Sequence, residues 1–485
     1  MKSQQGKRIA FDNGIFISMI ITQINKTFDI PKYTCLTLRN DRHMRSANKI
    51  VFLVTLCLTL FLMGGCAHRD SLSVRTPHPP VYDYPVNNAY AATIIGTPAE
   101  MKVRYPDAIE ADEEKLVVFP ARKIPEGFWY YNGLLYGQML QDKAASLVYI
   151  IGGTGAGYKS RFTVALANTL YNSGHHVIML PSPTHANFIV TASQDHFPGN
   201  AQTDAKDLYR VMTMIQKRVA QQRQITSTHI TGYSLGAWNA AFVSMLDQQE
   251  KKIGLDKTLL INPPLSLHSS ILRLDAMLLQ GLPGGIDELD TFLNRTMARL
   301  SQLRNDSDAF DLSNENMLLE SYSRLNPTND KMATTIGLAF RLSAANMIFT
   351  SDVMSHDNYI YPADRPFQSD TPLNDYMAMA LRTGFGDYFK DIYSDHYMTN
   401  APGLTHDNLI NQSSLEPLRD WIASNPRIGL ITNRDDIILA PGELARLESL
   451  FVGKSWIFPT GGHLGNIEHP AFAWRVANFF EGTQQ

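Results

Sequence analysis

The pentapeptide GYSLG, Gly232 to Gly236, lies between THIT, a β-branched, strand-like run, and AWNAAFVSML, a run with helical character. A serine between glycines in that context calls for a sharp strand-to-helix turn. Such a turn lifts the serine hydroxyl clear of a sheet, and bulky side chains two positions to either side would clash there. The chain must therefore build a strand that feeds directly into a helix at one end of a sheet.

The rest of the sequence supplies such a sheet. SLVYIIGG, HHVIMLPSP and KTLLINPPL are apolar runs that read as strands, and KLVVFPA and GFWYYNGLLYGQML add two more, rich in aromatic and β-branched residues. Between them, FTVALANTLYNSG has helical spacing and ends at Asn172 and Gly174, a helix stop. AQTDAKDLYRVMTMIQKRVAQQ puts Leu208, Val211, Met212, Ile215 and Val219 on one side of a helix. Strands alternating with helices predict a mostly parallel, doubly wound α/β sheet.

The alternation stops at about residue 265. TTIGLAFRLSAANMIF and DYMAMALRTGFGDYFKDIY are the clearest helices beyond it. It then resumes with RIGLITN as a strand, GELARLESLF as a helix, SWIFPTGGH as a strand and PAFAWRVANFF as a closing helix. We read one core in two parts, 93–264 and 426–485, carrying a helical cap, 265–425, between the sixth and seventh strands. No internal repeat is found.

Two further pieces follow the serine in a telling order. LITNRDDIIL sets Asp435 and Asp436 just past a buried strand, and IFPTGGHLGNIEHP sets His463 just past the next, after two glycines. Serine, acid and histidine in this chain order, with an elbow before them, resemble the α/β-hydrolase superfamily over about residues 93–264 and 426–482. The resemblance implies Ser234 as nucleophile, Asp436 as acid and His463 as general base. Asp436 is preferred to Asp435 because it directly precedes the apolar IIL.

The glycine-rich stretch IIGGTGAGYKS, Ile150 to Ser160, admits two readings. Gly152 and Gly157 have phosphate-loop spacing, but Tyr158 intervenes before Lys159 and Ser160 and breaks the pattern. By the resemblance, the loop after the third strand instead offers a backbone N–H to an oxyanion, at Thr154 or its neighbour Gly153, and Leu235 offers the second. Two-step acyl transfer is then implied, with a small-molecule carboxylic ester, acyl or lipid ester as substrate and neither metal nor organic cofactor. The same triad could serve an acyltransferase or a serine peptidase, and the fold also hosts non-catalytic binding proteins. Met277, Met347, Met354, Met377 and Met379, with Phe349, Tyr359 and Tyr361, read as packing between cap helices rather than as an adaptable lipid-binding surface.

The N-terminal region carries a different signal. From Met44, Arg45 and Lys49 precede an apolar stretch of about 14 residues, followed by Gly64, Gly65 and Cys66. The stretch is short for a membrane span. It resembles a bacterial lipoprotein signal over 44–65, which implies a lipid on Cys66 and attachment to the membrane of the cell envelope. By resemblance to the lipoprotein sorting rule of enteric bacteria, Ala67, which is not aspartate, implies the outer membrane facing the periplasm in a Gram-negative host. Residues 66–92 then read as a polar, proline-containing tether, and 1–43 as a misassigned start or a disordered stretch.

Composition narrows the remaining classes. A net charge of -3 over 485 residues gives no basic footprint for nucleic acid. Cys35, Cys57 and Cys66 are the only cysteines, so the chain beyond them forms no disulfide, and with no CxxC pair a structural zinc site is not expected. The oligomeric state is left open by the sequence.

Overall fold

The computed structural model describes residues 78–105, 110–289, 291–292 and 327–481. Met44, the signal-like stretch and Cys66 lie outside the described residues.

Eight strands make one sheet in the order β1-β2-β4-β3-β5-β6-β7-β8. They are β1 (Asp112–Leu116), β2 (Leu134–Met139), β3 (Ala145–Ile151), β4 (His176–Leu180), β5 (Ile225–Tyr233), β6 (Leu255–Ile261), β7 (Ile428–Asn433) and β8 (Ser455–Phe458). β3 through β8 pair in parallel, whereas β2 is antiparallel to both β1 and β4. This is the mostly parallel, doubly wound sheet of an α/β-hydrolase fold.

Among the described residues the α-helices longer than one turn are α1 (Ala89–Ile95), α2 (Arg161–Asn172), α3 (Ala186–Thr191), α4 (Ala201–Gln222), α5 (Leu235–Glu250), α6 (Leu267–Leu279), α7 (Asn329–Ser355), α8 (Asn374–Arg382), α9 (Ser394–Asn400), α10 (His406–Gln412), α11 (Arg419–Ser424), α12 (Glu443–Leu450) and α13 (Pro470–Glu481). Alternate residues of each central strand face opposite layers, as the strand period requires. Leu147, Tyr149 and Ile151 of β3 join a core with α4, α5 and α12, while Val148 and Ile150 join one with α2 and α13. Both faces of the sheet are thereby covered, which explains the near-continuous apolar runs.

Between β6 and β7 the described chain is helical, with its own core around α7 and Tyr388, Phe389 and Tyr393. α7 is long and apolar enough to cross a membrane by length and composition, yet 83% of its apolar window is buried inside the protein. It is packed as a core helix. Met277, Met347, Met354, Phe349 and Tyr361 are buried too, in keeping with packing, whereas Met379 is exposed.

Three local expectations are corrected. The edge strand β1 is DEEKL rather than KLVVFPA. It pairs on one side only, and its charged side chains are exposed or half-buried. The aromatic run GFWYY is not strand: Gly127 N–H donates to the carbonyl of Phe367, and Phe128 packs on that ring at 4.9 Å. DYMAMALRTGFGDYFKDIY is not one helix; it breaks after α8, where the Asp275 carboxylate accepts the Gly386 amide at 2.8 Å.

The tether is the larger correction. Its described part, from residue 78, is not free chain. Tyr84, Val86, Ala91 and Ala92 are buried in the main core, and α1 falls within and just beyond the expected 66–92. Asn88 caps α1 by accepting the amides of Tyr90 and Ala91. Small apolar residues on one turn of helix bury here, which the polar average of the segment conceals.

Candidate active site

The carboxyl ends of the parallel strands converge on one place. β3 delivers the loop from Gly152, β5 delivers Ser234, β6 delivers Asn262, β7 delivers Asp435 and Asp436, and β8 leads to His463. Open α/β sheets hold their ligands at this end.

Ser234 has φ 54 and ψ -126, a backbone conformation that is rare for a residue with a side chain. The flanking glycines make it achievable. A Cβ on Gly232 would sit 2.3 Å from the carbonyl oxygen of Gly236, and one on Gly236 would sit 2.1 Å from that of Ile151. The elbow is therefore pressed against itself and against the end of β3.

His463 spans the serine and the acid. Its Nε2 lies 3.0 Å from Ser234 Oγ, and its Nδ1 lies 3.0 and 3.1 Å from the two oxygens of Asp436. The carboxylate can only accept, which assigns the proton to Nδ1 and leaves Nε2 to accept from the serine hydroxyl. All three side chains are buried: Ser234 is 8% exposed, His463 4% and Asp436 6%.

Asp435 is not idle. Its carboxylate accepts the amides of Gly461 and Gly462 at 3.2 and 2.9 Å, just ahead of the histidine. Burial pushes its carboxyl above the ordinary range, against the pull of those two amides.

The glycine-rich loop faces the serine. Thr154, Ser234 and Leu235 line one small cavity of about 20 Å³, together with Leu267, Phe340, Phe385 and Ile438. The Gly155 amide is taken by Thr184 Oγ1 at 2.8 Å and the Ala156 amide by the Gly153 carbonyl at 3.0 Å. Leu235 opens α5, so its amide has no partner within the helix. Lys159 pairs with Glu113 of the edge strand at 3.2 Å.

No family model matches the chain, and no curated protein matches it in sequence. Solved structures do match. A bacterial heroin esterase is 12% identical, with 80% of this chain and 88% of that one covered and a TM-score of 0.39. The thioesterase domain from the curacin biosynthetic pathway is 12% identical over 77% of this chain and all of its own, with a TM-score of 0.35. A haloalkane dehalogenase from Bradyrhizobium elkani is 12% identical over 77% of this chain and 98% of its own, with a TM-score of 0.35.

Several residues at the site escape a reading of the sequence. Asn262 Nδ2 donates to Asp436 Oδ2 at 2.7 Å, and the Ile438 amide donates to Oδ1 at 3.1 Å. Asn433 and Asn466 exchange side-chain hydrogen bonds at 2.9 and 2.8 Å and tie β7 to the histidine loop. Asn262 has φ 46, which asparagine tolerates better than most residues. An asparagine directly after an apolar strand, in LINPPL, is the one local signal that could have marked it.

Proposed function

We propose that this chain is a serine hydrolase of carboxylic esters. The reading rests chiefly on one observation: His463 lies within hydrogen-bonding distance of both Ser234 and Asp436. Ser234 Oγ attacks the ester carbonyl as its proton passes to His463 Nε2, and Asp436 holds the imidazole and stabilises its charge. The carbonyl oxygen becomes an oxyanion held by the Thr154 and Leu235 amides, each worth about 3–4 kcal/mol in such a role. The ester C–O bond then breaks, and the departing alcohol takes the proton from Nε2. Water, deprotonated by the same imidazole, attacks the acyl-serine and releases the acid, and Ser234 regains its proton.

The cavity wall supports an uncharged acyl group. Leu267, Ile271, Leu274, Phe340, Phe385 and Ile438 line it beside Thr154 and Ser270, and no charged residue does. At about 20 Å³ the space holds about one water, so α6 and α7 must give way to admit an ester. A series of chromogenic esters of increasing acyl length, with the purified chain, tests this reading. Turnover of neutral acyl esters that disappears in Ser234→Ala supports it, and no turnover of any member counts against it.

We also propose attachment to the envelope membrane through a lipid on Cys66, on the strength of the signal-like sequence before it. Cys66→Ala should move the protein to the soluble fraction with its turnover kept. Full retention in the membrane fraction would refute the anchor.

A further inference from the structure

The turn that carries His463 is an unusual piece of backbone. Gly461 has φ +141, Gly462 φ +55 and Leu464 φ +67, so the histidine sits among residues in left-handed or otherwise rare conformations. Such a turn has no ladder of its own, and its polar groups must be held from outside. Part of that hold is close by: Asp435 takes the amides of Gly461 and Gly462, and Asn433 Nδ2 donates to the Gly462 carbonyl at 2.8 Å. The other part comes from the N-terminal segment, some 370 residues away in sequence.

That segment makes four polar contacts with the turn. The His463 amide donates to Thr93 Oγ1 at 2.9 Å. Thr97 Oγ1 donates to the Gly465 carbonyl at 2.9 Å, Tyr82 donates its hydroxyl to the Thr460 carbonyl at 2.6 Å, and Asn466 Nδ2 donates to the Tyr82 oxygen at 2.9 Å. The backbones touch as well. A Cβ on Gly462 would lie 2.2 Å from the Ala89 carbonyl oxygen, and one on Gly465 would lie 2.2 Å from that of Ala92. On its other side α1 meets the start of α7, where Asn88 Nδ2 donates to Asn329 Oδ1 at 2.8 Å.

We infer that the segment from Tyr82 to Thr97 is a positioning element of the active site, and that Thr93 is the residue that fixes His463. This rests on His463 being the general base proposed above. The Thr93 hydroxyl donates its one proton to the Ala89 carbonyl at 2.7 Å, so a lone pair is left aimed at the His463 amide. Removing that acceptor strands a buried N–H beside the imidazole, and the turn must shift to recover a partner. A shift of this kind moves Nε2 relative to Ser234, where about 1 Å of misplacement can cost about 100-fold in rate. The N-terminal segment therefore does more than lead to the domain; it completes the site.

The test compares full-length wild type, Thr93→Val, Thr93→Ser and Tyr82→Phe, reading fluorophosphonate labelling of Ser234, kcat and KM on a neutral ester, and the pH profile of kcat/KM. Valine keeps the shape of threonine and removes the acceptor; serine keeps the acceptor. Thr93→Val should lower kcat and the labelling rate together, by about 10-fold or more, with KM within about 2-fold. Its pH profile should move, because the imidazole is no longer held the same way, and Thr93→Ser should restore most of the rate. If Thr93→Val does not fold, Tyr82→Phe decides in its place: a slower rate with KM kept supports the inference, and an unchanged rate overturns it. Wild type that labels, beside a folded Thr93→Val that labels as fast, overturns the inference alone. Wild type that never labels at Ser234 overturns it together with the hydrolase reading.

Discussion

Asn262 donates its side-chain amide to Asp436 at 2.7 Å, from the end of β6 to the end of β7. The carboxylate that faces His463 is thus oriented by a neighbouring strand, and the donor is fully buried. Because Asn262 has φ 46, glycine is the substitution that removes the donor without adding backbone strain. A hydrogen bond to a charged group is worth about 1.5–3 kcal/mol, so Asn262→Gly should lower kcat/KM about 10- to 100-fold. Steady-state kinetics on a neutral ester would check this, and an unchanged kcat/KM would remove Asn262 from the positioning of the acid.

Asp435 and Asp436 should separate cleanly by substitution. Asp436→Asn removes the charge beside His463 and favours the wrong imidazole tautomer, with an expected loss of about 10⁴-fold in kcat. Asp435→Asn keeps one oxygen to accept from Gly461 or Gly462 but offers an N–H where the other amide points. Its loss should be about 10-fold, with KM little changed. Equal losses at both positions would show that Asp435 does more than hold the turn.

Much of this was legible in the sequence, for a physical reason. A parallel strand buried on both faces must be apolar throughout, so β3, β4, β6 and β7 stand out, and GYSLG leaves little freedom for the residue it presents. β1 is misplaced because an edge strand has no such demand: DEEKL pairs on one side only and carries charged side chains, with Glu114 accepting from Gln138 of β2 at 3.3 Å. The aromatics of GFWYY read as strand because β propensity reports burial on a pleated surface, yet Phe128 buries against Phe367 instead, and Trp129 and Tyr130 are exposed. Thr93 and Asn466 are invisible for a different reason, and Asn262 shows only as an asparagine after an apolar strand. Each acts through contacts made across the fold, and no local pattern marks a threonine that will meet a histidine 370 positions later.

His229 gives the fold a dependence on pH apart from catalysis. Burial pushes its imidazole down to about 4, against an ordinary value near 6.5, and His196 is pushed down to about 4 by the same cause. The folded chain therefore favours the neutral rings, while the unfolded chain takes up protons first as pH falls. Their contribution to stability is whole above about pH 6.5 and is lost progressively down to about pH 4, on the order of 2 kcal/mol for His229. Thermal unfolding between pH 7 and 4 should show Tm falling across that window, with a shallower fall in His229→Gln. A Tm that holds steady to pH 4 would contradict the assignment.

The central claim is that Ser234 is a nucleophile activated by His463. A fluorophosphonate probe reads it directly, because phosphonylation requires an activated oxygen and places its own oxygen in the proposed oxyanion site of the Thr154 and Leu235 amides. With wild type, Ser234→Ala and His463→Ala labelled side by side and the adduct mapped by peptide mass, the account predicts one adduct, on the peptide containing Ser234, lost in the Ser234→Ala protein and nearly lost in His463→Ala. Undiminished labelling of the Ser234→Ala protein would contradict it.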